Sequence, residues 1–431
     1  MDRDRILRKN ISLSVLYKIL NMAIVYLTIP IILKYLGSES YGVWVTILSI
    51  INIVIYLDGG ILNGLKTRLS ESLVNDELEQ AKHYISSAYF ILIFFSILLL
   101  VLGALLIYLI DLKILLNTTV NESTIKGVFF IVLVTLLLAY ILNLYKPLFY
   151  AHQKSALVEL SMLIYQSTVF FLLFIFLKDN NASLIKVAII YGVATIGVGS
   201  VFTFYFFKKN NLIVPSIFSI KKESSKILFG LSLDFFIIQL CMIVIFSTDN
   251  IIISNLLGPE EVTKYDVVLK IFQVIITFMI IISDPYWTMY ANAYKKGDIK
   301  WISKTLKKWN LIFLTLILLI LLMIIFIKPI VKIWLQKELF ISTTLIYFMA
   351  LFVLIRIYGI IYMYFLNGIG KVKIQMWLYL FGAIINIPLS IYFVQYFNLG
   401  SSGVILGTVL SILPMSIILP LQANKILKTK K

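Results

Sequence analysis

Apolar residues in this chain come in blocks of about 20 or more, and a block of that length is what an α-helix needs to cross the hydrocarbon core of a bilayer. Taking roughly 18 mostly apolar residues as a span, the sequence predicts twelve, at 11–36, 41–64, 84–110, 127–150, 156–177, 187–207, 227–257, 263–294, 309–327, 340–366, 375–396 and 403–424. With 61% hydrophobic and 14% charged residues, the chain lies far from the soluble norm of about 25% charged. A soluble globular fold is excluded. The alternation expected of a membrane β-barrel is absent. The expected fold class is therefore an all-α integral membrane protein. Several spans exceed the crossing length, so tilt or protrusion is expected, and Pro30, Pro285, Pro388 and Pro414 should bend the helices that contain them. The first block follows a basic flank as a signal peptide does. It is too long for such a segment and lacks a small-x-small cleavage site, so it is expected to remain in the mature protein.

Orientation follows from the basic residues between the spans. On the side of the N-terminus the connections carry 25 Lys and Arg, and on the opposite side 8. The positive-inside rule then places both termini in the cytoplasm, in agreement with an even number of spans. The formal net charge of +17 is explained by this arrangement, since no basic stripe free of apolar flanks exists to bind nucleic acid. The longest cytoplasmic connection, 208–226, contains Pro215 and separates six spans from six. The expected organisation is an N-terminal six-helix lobe at 1–212, a cytoplasmic linker at 213–226 and a C-terminal six-helix lobe at 227–431. An internal repeat supports it. Tyr35-Leu36-Gly37 followed by Tyr41 echoes Leu256-Leu257-Gly258 followed by Tyr265, with Asp58 and Asp284 near the ends of the matching spans. Leu144-Tyr145 to Lys154 also aligns with Ile361-Tyr362 to Lys371 without a gap. Copies of even span number share one orientation, so the lobes should be related by an axis along the membrane normal.

Enzymatic chemistry has nowhere obvious to reside. Gly368-Ile369-Gly370-Lys371 is followed by Val372, which breaks the phosphate-binding loop pattern. There are two histidines, His83 and His152, and one cysteine, Cys241, so no metal cluster or intrachain disulfide is expected. The longest outward connection, 111–126, is too short for an active-site loop. No cofactor is expected, and the chain reads as a non-enzyme.

The informative residues are charges at membrane depth, each costly against lipid and by default part of a cavity, a pair or a pathway. Arg356 stands about 15 Å inside the tenth span by helical rise, beyond the reach of snorkelling. It reads either as an anion-binding cavity cation or as half of a buried ion pair. Lys18 lies seven residues into the first span, where it could serve the same cavity or snorkel. Lys34 and Lys146, within a turn of span ends, read as interface anchors. Asp266 and Lys270 are spaced i, i+4 and either neutralise each other or offer Lys270 to the cavity. Among the acids, Asp234 and then Asp249 are the candidates for binding a coupling ion, because a carboxylate in a wet cavity can take a proton or Na⁺. Asp58 and Asp284 read as helix caps or partners of loop lysines. Tyr358, Tyr362 and Tyr364 could line a sugar path or belong to an interfacial belt.

The stretch Lys34-Tyr35-Leu36-Gly37-Ser38-Glu39-Ser40-Tyr41-Gly42-Val43-Trp44 and the run Leu57-Asp58-Gly59-Gly60-Ile61-Leu62-Asn63-Gly64-Leu65 resemble the join of the first two helices in bacterial polysaccharide flippases. Thr248-Asp249-Asn250-Ile251-Ile252-Ile253 before Leu257-Gly258, and Leu366-Asn367-Gly368-Ile369-Gly370-Lys371, are similar to that family in the second half. The chain thus resembles O-antigen (Wzx-type) flippases of the multidrug/oligosaccharidyl-lipid/polysaccharide exporter (MOP) superfamily. The resemblance implies two six-helix lobes around a central cavity in the bacterial inner membrane. It implies alternating-access transfer of undecaprenyl-diphosphate-linked oligosaccharide to the periplasmic leaflet, driven by an H⁺ or Na⁺ gradient or by the membrane potential. Cationic cavity residues would meet the diphosphate, and a polysaccharide polymerase and a chain-length regulator would be partners. The competing readings are a multidrug/cation antiporter of the same superfamily and an integral membrane polysaccharide polymerase. A major facilitator is disfavoured, because Lys66-Thr67-Arg68-Leu69-Ser70-Glu71-Ser72-Leu73 does not fit the usual motif of its second-to-third connection.

Reporter fusions test the topology. Fusions after Pro215 and Lys300 should report from the cytoplasm and one after Val120 from the periplasm; a periplasmic signal at Lys300 would overturn the two-lobe arrangement.

Overall fold

The computed structural model describes residues 2–55, 61–176, 182–228 and 233–429, all of it helix, turn and connection with no strand among the described residues. The chain divides into two compact units, Met1–Ser232 and Leu233–Lys431. The first contains α1 (Asp2–Ile55), α2 (Ile61–Val74), α3 (Leu78–Leu109), α4 (Leu112–Leu116), α5 (Glu122–Leu142), α6 (Tyr145–Ala151), α7 (Ser155–Phe176), α8 (Leu184–Lys209) and α9 (Lys222–Leu228). The second contains α10 (Leu233–Ser247), α11 (Asp249–Leu257), α12 (Pro259–Lys295), α13 (Ile299–Leu335), α14 (Thr343–Gly368), α15 (Lys373–Gln395) and α16 (Ser401–Thr429).

Eleven stretches among the described residues are long and apolar enough to cross a membrane, counting Ser12–Ile51 once. That stretch is two helices in one, because α1 is broken at Gly37, with φ 76° and ψ 171°. The protein is thus an all-α membrane protein with about twelve spanning helices in two lobes, as the apolar blocks predict. The same break recurs at Gly258, with φ 90° and ψ 161°, between α11 and α12. This backbone conformation is essentially open to glycine alone, since a Cβ would meet the backbone carbonyls. The echo between Tyr35-Leu36-Gly37 and Leu256-Leu257-Gly258 is therefore a repeat of conformation as well as of letters. Beyond the second break Pro259 opens α12, where its fixed φ and missing N–H suit the first turn of a helix.

The break at Gly37 is held by a local clamp. Glu39 accepts hydrogen bonds from the Thr118 hydroxyl at 2.7 Å and from the Thr119 amide at 2.6 Å. The connection that ends α4 is thereby tied to the first span pair. Pro30, Pro285, Pro388 and Pro414 lie within α1, α12, α15 and α16, as the spans predict. Asp58 lies outside the described residues.

In the first unit α1 packs on α7, and α5 on α8; in the second, α16 packs on both α14 and α15, and α12 on α14. The α15–α16 contact is close because Gly407 faces Ser390. A Cβ on Gly407 would stand 2.8 Å from the Ser390 backbone nitrogen. Small residues are how helices approach each other where lipid supplies no hydrophobic drive. Along α13, Leu311, Leu318 and Ile325 are exposed, as the outer face of a bundle in hydrocarbon should be.

Gly37→Ala isolates the backbone requirement, because nothing lies within 4 Å of where its Cβ would stand. It should destabilise the protein by about 1–3 kcal/mol, read as a lower thermal midpoint of the purified protein in detergent. An unchanged midpoint would show that residue 37 does not hold the break.

Candidate functional site

Asp249 begins α11, where α10 and α11 meet around Thr248, and its side chain is only 5% exposed. Three further helices converge on it. Tyr265 of α12 donates its hydroxyl to the Asp249 carboxylate at 2.6 Å. The Thr408 hydroxyl of α16 lies 3.0 and 3.2 Å from the two carboxylate oxygens. Asn386 of α15, fully buried, donates its amide to the Thr408 oxygen at 3.0 Å. The Thr248 hydroxyl, 3.4 Å from the Asn386 amide oxygen, is closer to the Val244 carbonyl at 2.6 Å and spends its one proton there.

Among the described residues Asp249 has no Lys, Arg or His within ion-pair distance. Two neutral donors satisfy part of its hydrogen-bonding capacity and leave its charge uncompensated, which burial makes expensive. The direct remedies are a proton or a small cation. Carboxylate, hydroxyl and amide oxygens suit a hard monovalent ion. No cluster of three or more His, Cys, Asp or Glu able to hold a metal ion occurs among the described residues. The other acid candidate, Asp234, stands at the second position of α10, and its side chain lies outside the described residues.

The first unit carries the repeat of this cluster without its charge. Nine residues before Gly258 stands Asp249, and nine before Gly37 stands Thr28; seven after Gly258 stands Tyr265, and seven after Gly37 stands Trp44. Thr28, buried, accepts a hydrogen bond from Gln166 of α7 at 3.2 Å. Trp44 lies against Tyr191 of α8 with ring centroids 5.2 Å apart.

Arg356, midway along α14, stacks its guanidinium over the Phe246 ring at 3.7 Å and lies 5.8 Å from Phe352. Beside it opens a cavity of about 180 Å³ within the second unit, lined also by Met242, Ile280, Met363, Tyr379 and Ser416. Among the described residues lining this cavity none is acidic. Stacking on an aromatic face uses the plane of a guanidinium and not its in-plane N–H groups, which are the groups that take oxyanions in pairs. The cavity thus joins one fixed cation to apolar walls.

Lys18 of α1 is held in the first unit, 3.7 Å from the buried Glu159 carboxylate of α7. Tyr150 directs its hydroxyl to Glu159 at 3.4 Å, and Lys146 also acts on that carboxylate. Lys146 therefore belongs to a charge cluster. Lys270 forms an ion pair with the buried Asp266 at 3.0 Å, one turn earlier on α12. Asp284 accepts the Tyr364 hydroxyl, and Tyr362 and Asn310 hydrogen-bond each other. Two of the three tyrosines thus tie α14 to α12 and α13.

Sequence reasoning missed Glu159, Tyr265, Asn386 and Thr408. Glu159 was within reach, as an acid inside an apolar block, five residues beyond Lys154. The neutral members carried no signal, since Tyr, Asn and Thr are ordinary components of spans.

Taken together, the two helical units, their repeated helix breaks and the charges within their spans define a multi-pass membrane protein whose fold is that of a MATE family transporter. The chain belongs to the polysaccharide biosynthesis protein family, which matches it over residues 7–290. MatE matches residues 235–392. Among solved structures it is similar to a multidrug resistance MATE family transporter of the MOP superfamily in an inward-facing conformation. That likeness has a TM-score of 0.81 and 14% identity, covering 97% of this chain and 98% of that one. It is also similar to a MOP superfamily transporter from Pyrococcus furiosus, described as having a binding pocket of reverse polarity that suggests a different function. There the TM-score is 0.70 and the identity 15%, covering 98% of this chain and 96% of that one. No curated protein matches the sequence. Both of these neighbours are described as transporters.

The Asp249 cluster is testable as a unit. Thr408→Val should lower stability by about 1–3 kcal/mol by leaving a buried carboxylate short of a donor. In an Asp249→Ala background the same change should cost much less, because residues of one network are not additive. Equal losses in both backgrounds, read from thermal midpoints in detergent, would show that Thr408 does not act on Asp249.

Proposed function

We propose that this protein is a flippase for undecaprenyl-diphosphate-linked oligosaccharide, O-antigen or a similar repeat unit, carrying it from the cytoplasmic to the periplasmic leaflet of the bacterial inner membrane. The observation that carries the reading is Arg356 on the wall of a cavity whose described lining is apolar apart from Tyr364, Tyr379 and Ser416. A polyprenyl diphosphate presents the complementary pair, an anion joined to a hydrocarbon chain, and in a low-dielectric space the attraction is strong. An organic cation would meet a like charge there. Membership of the polysaccharide biosynthesis protein family supports the same substrate class. The Pyrococcus furiosus relative supplies a precedent for a change of pocket polarity on this fold. Lys18 with Lys146, and Lys270, are the further cations offered to the diphosphate, each now held by Glu159 or Asp266. We place the coupling ion, H⁺ or Na⁺, at Asp249, with Asp234 as the second candidate. A polysaccharide polymerase and a chain-length regulator remain the expected partners, and both termini are expected in the cytoplasm.

Deleting the gene should remove surface polysaccharide, trap lipid-linked precursor on the cytoplasmic leaflet and leave sensitivity to cationic dyes unchanged. Arg356→Ala should reproduce that loss at normal protein level, with Arg356→Lys partly active if point charge suffices. Asp249→Asn should abolish the response of transport to an imposed ion gradient while substrate still binds. A deletion strain that keeps its glycan and becomes dye-sensitive would replace the flippase by the antiporter.

A further inference from the structure

The linker between the two units is not a free tether. After the exposed Lys208 and Lys209 that end α8, residues 210–220 form two short 3₁₀ turns, Asn211–Ile213 and Ile217–Ser219. They are fastened to α3. Ile213 is buried in the core of the first unit with Leu65, Leu69 and Phe206. The His83 ring lies 2.8 Å from the Ser219 carbonyl, the Ser216 amide donates to Ser86 at 3.0 Å and the Lys221 amide to Ser87 at 3.3 Å. Yet this fixed segment turns its largest apolar side chains outward, with Ile217 84% and Phe218 99% exposed and Leu212 exposed as well. A rigid apolar patch facing water is unfavourable and marks a contact surface.

Between the segment and α3 runs a groove of about 230 Å³, lined by Tyr89, Phe90, Ile93, Pro215, Ile217 and Ile220. It continues along α3 into Phe94, Ile97 and Val101, all exposed, at the spacing of one helix face. That face belongs to a spanning helix, so the groove leads from the linker into hydrocarbon. At the linker end stand the exposed lysines Lys208, Lys209, Lys221 and Lys222. Exposed apolar side chains at the end of a spanning helix, with exposed lysines close by in sequence, are what an interfacial anchor on an anionic leaflet requires.

We infer that the linker and the adjoining end of α3 form a binding site for an anionic phospholipid, an acyl chain lying in the groove and the phosphate meeting the lysines, so that the joint between the units rides in the leaflet. The site is independent of the cavity at Arg356 and of the substrate carried there.

Spin labels on the full-length protein test it, in a Cys241→Ser background and in vesicles of phosphatidylethanolamine with or without phosphatidylglycerol. A label at Phe218→Cys should be reached by oxygen more readily than by a water-soluble nickel chelate, and one at Lys222→Cys the reverse. Replacing Lys208, Lys209, Lys221 and Lys222 singly by Gln should weaken retention of phosphatidylglycerol on the purified protein by about fivefold per lysine, with helical circular dichroism unchanged. A label at 218 as open to nickel as one at 222 would overturn the proposal. So would a label closed to both reagents, which would mean a protein partner, or lipid retention indifferent to headgroup charge.

Discussion

No water is available inside a bilayer to satisfy a backbone amide, so each peptide group that enters must be paired within the chain. The architecture follows from that requirement. It confines the spans to helix and makes each departure from helix an event needing a local reason. The departures found have such reasons. Gly37 and Gly258 adopt a conformation reserved to glycine, and the first break is clamped by Glu39 against Thr118 and Thr119. Asp249 sits where α10 gives way to α11, with hydroxyls of Tyr265 and Thr408 around it.

The same medium explains how the charges are treated. Lys18 is held by Glu159 and Lys270 by Asp266, so unit charges in each lobe are brought to rest against opposite ones. Arg356 is stabilised differently, by the face of Phe246, a contact worth more when water is excluded. Ion pairs and aromatic stacking leave different residual chemistry. The lysines must be released before they can meet another anion, while an arginine stacked on a ring still presents its N–H edge.

The spanning pattern was legible because hydrophobic length is a property of composition, and the twelve blocks correspond to the eleven apolar stretches once α1 is divided at Gly37. The repeat was legible at Gly37 and Gly258 because a glycine-only conformation leaves a glycine in the sequence. Depth was legible too, since a single charge such as Arg356 stands out in an apolar run. Partnership was not. Whether Lys18 snorkels or pairs depends on Glu159, 141 residues away, and the environment of Asp249 is supplied from α12, α15 and α16, whose neutral side chains look like any others. Contacts between distant spans are set by helix rotation and packing, which a pattern along one helix does not encode.

The two halves differ at one equivalent position in electrical terms. Thr28 hydrogen-bonded to Gln166 is neutral in every state, whereas Asp249 is a carboxylate and the one of the two able to carry charge. If Asp249 carries the ion, one such position fixes the stoichiometry at one monovalent ion per cycle. A single elementary charge crossing about 100 mV supplies about 2.3 kcal/mol. That work sustains a concentration ratio of about fiftyfold for the transported species, a ceiling that a second carboxylate in place of Thr28 would square.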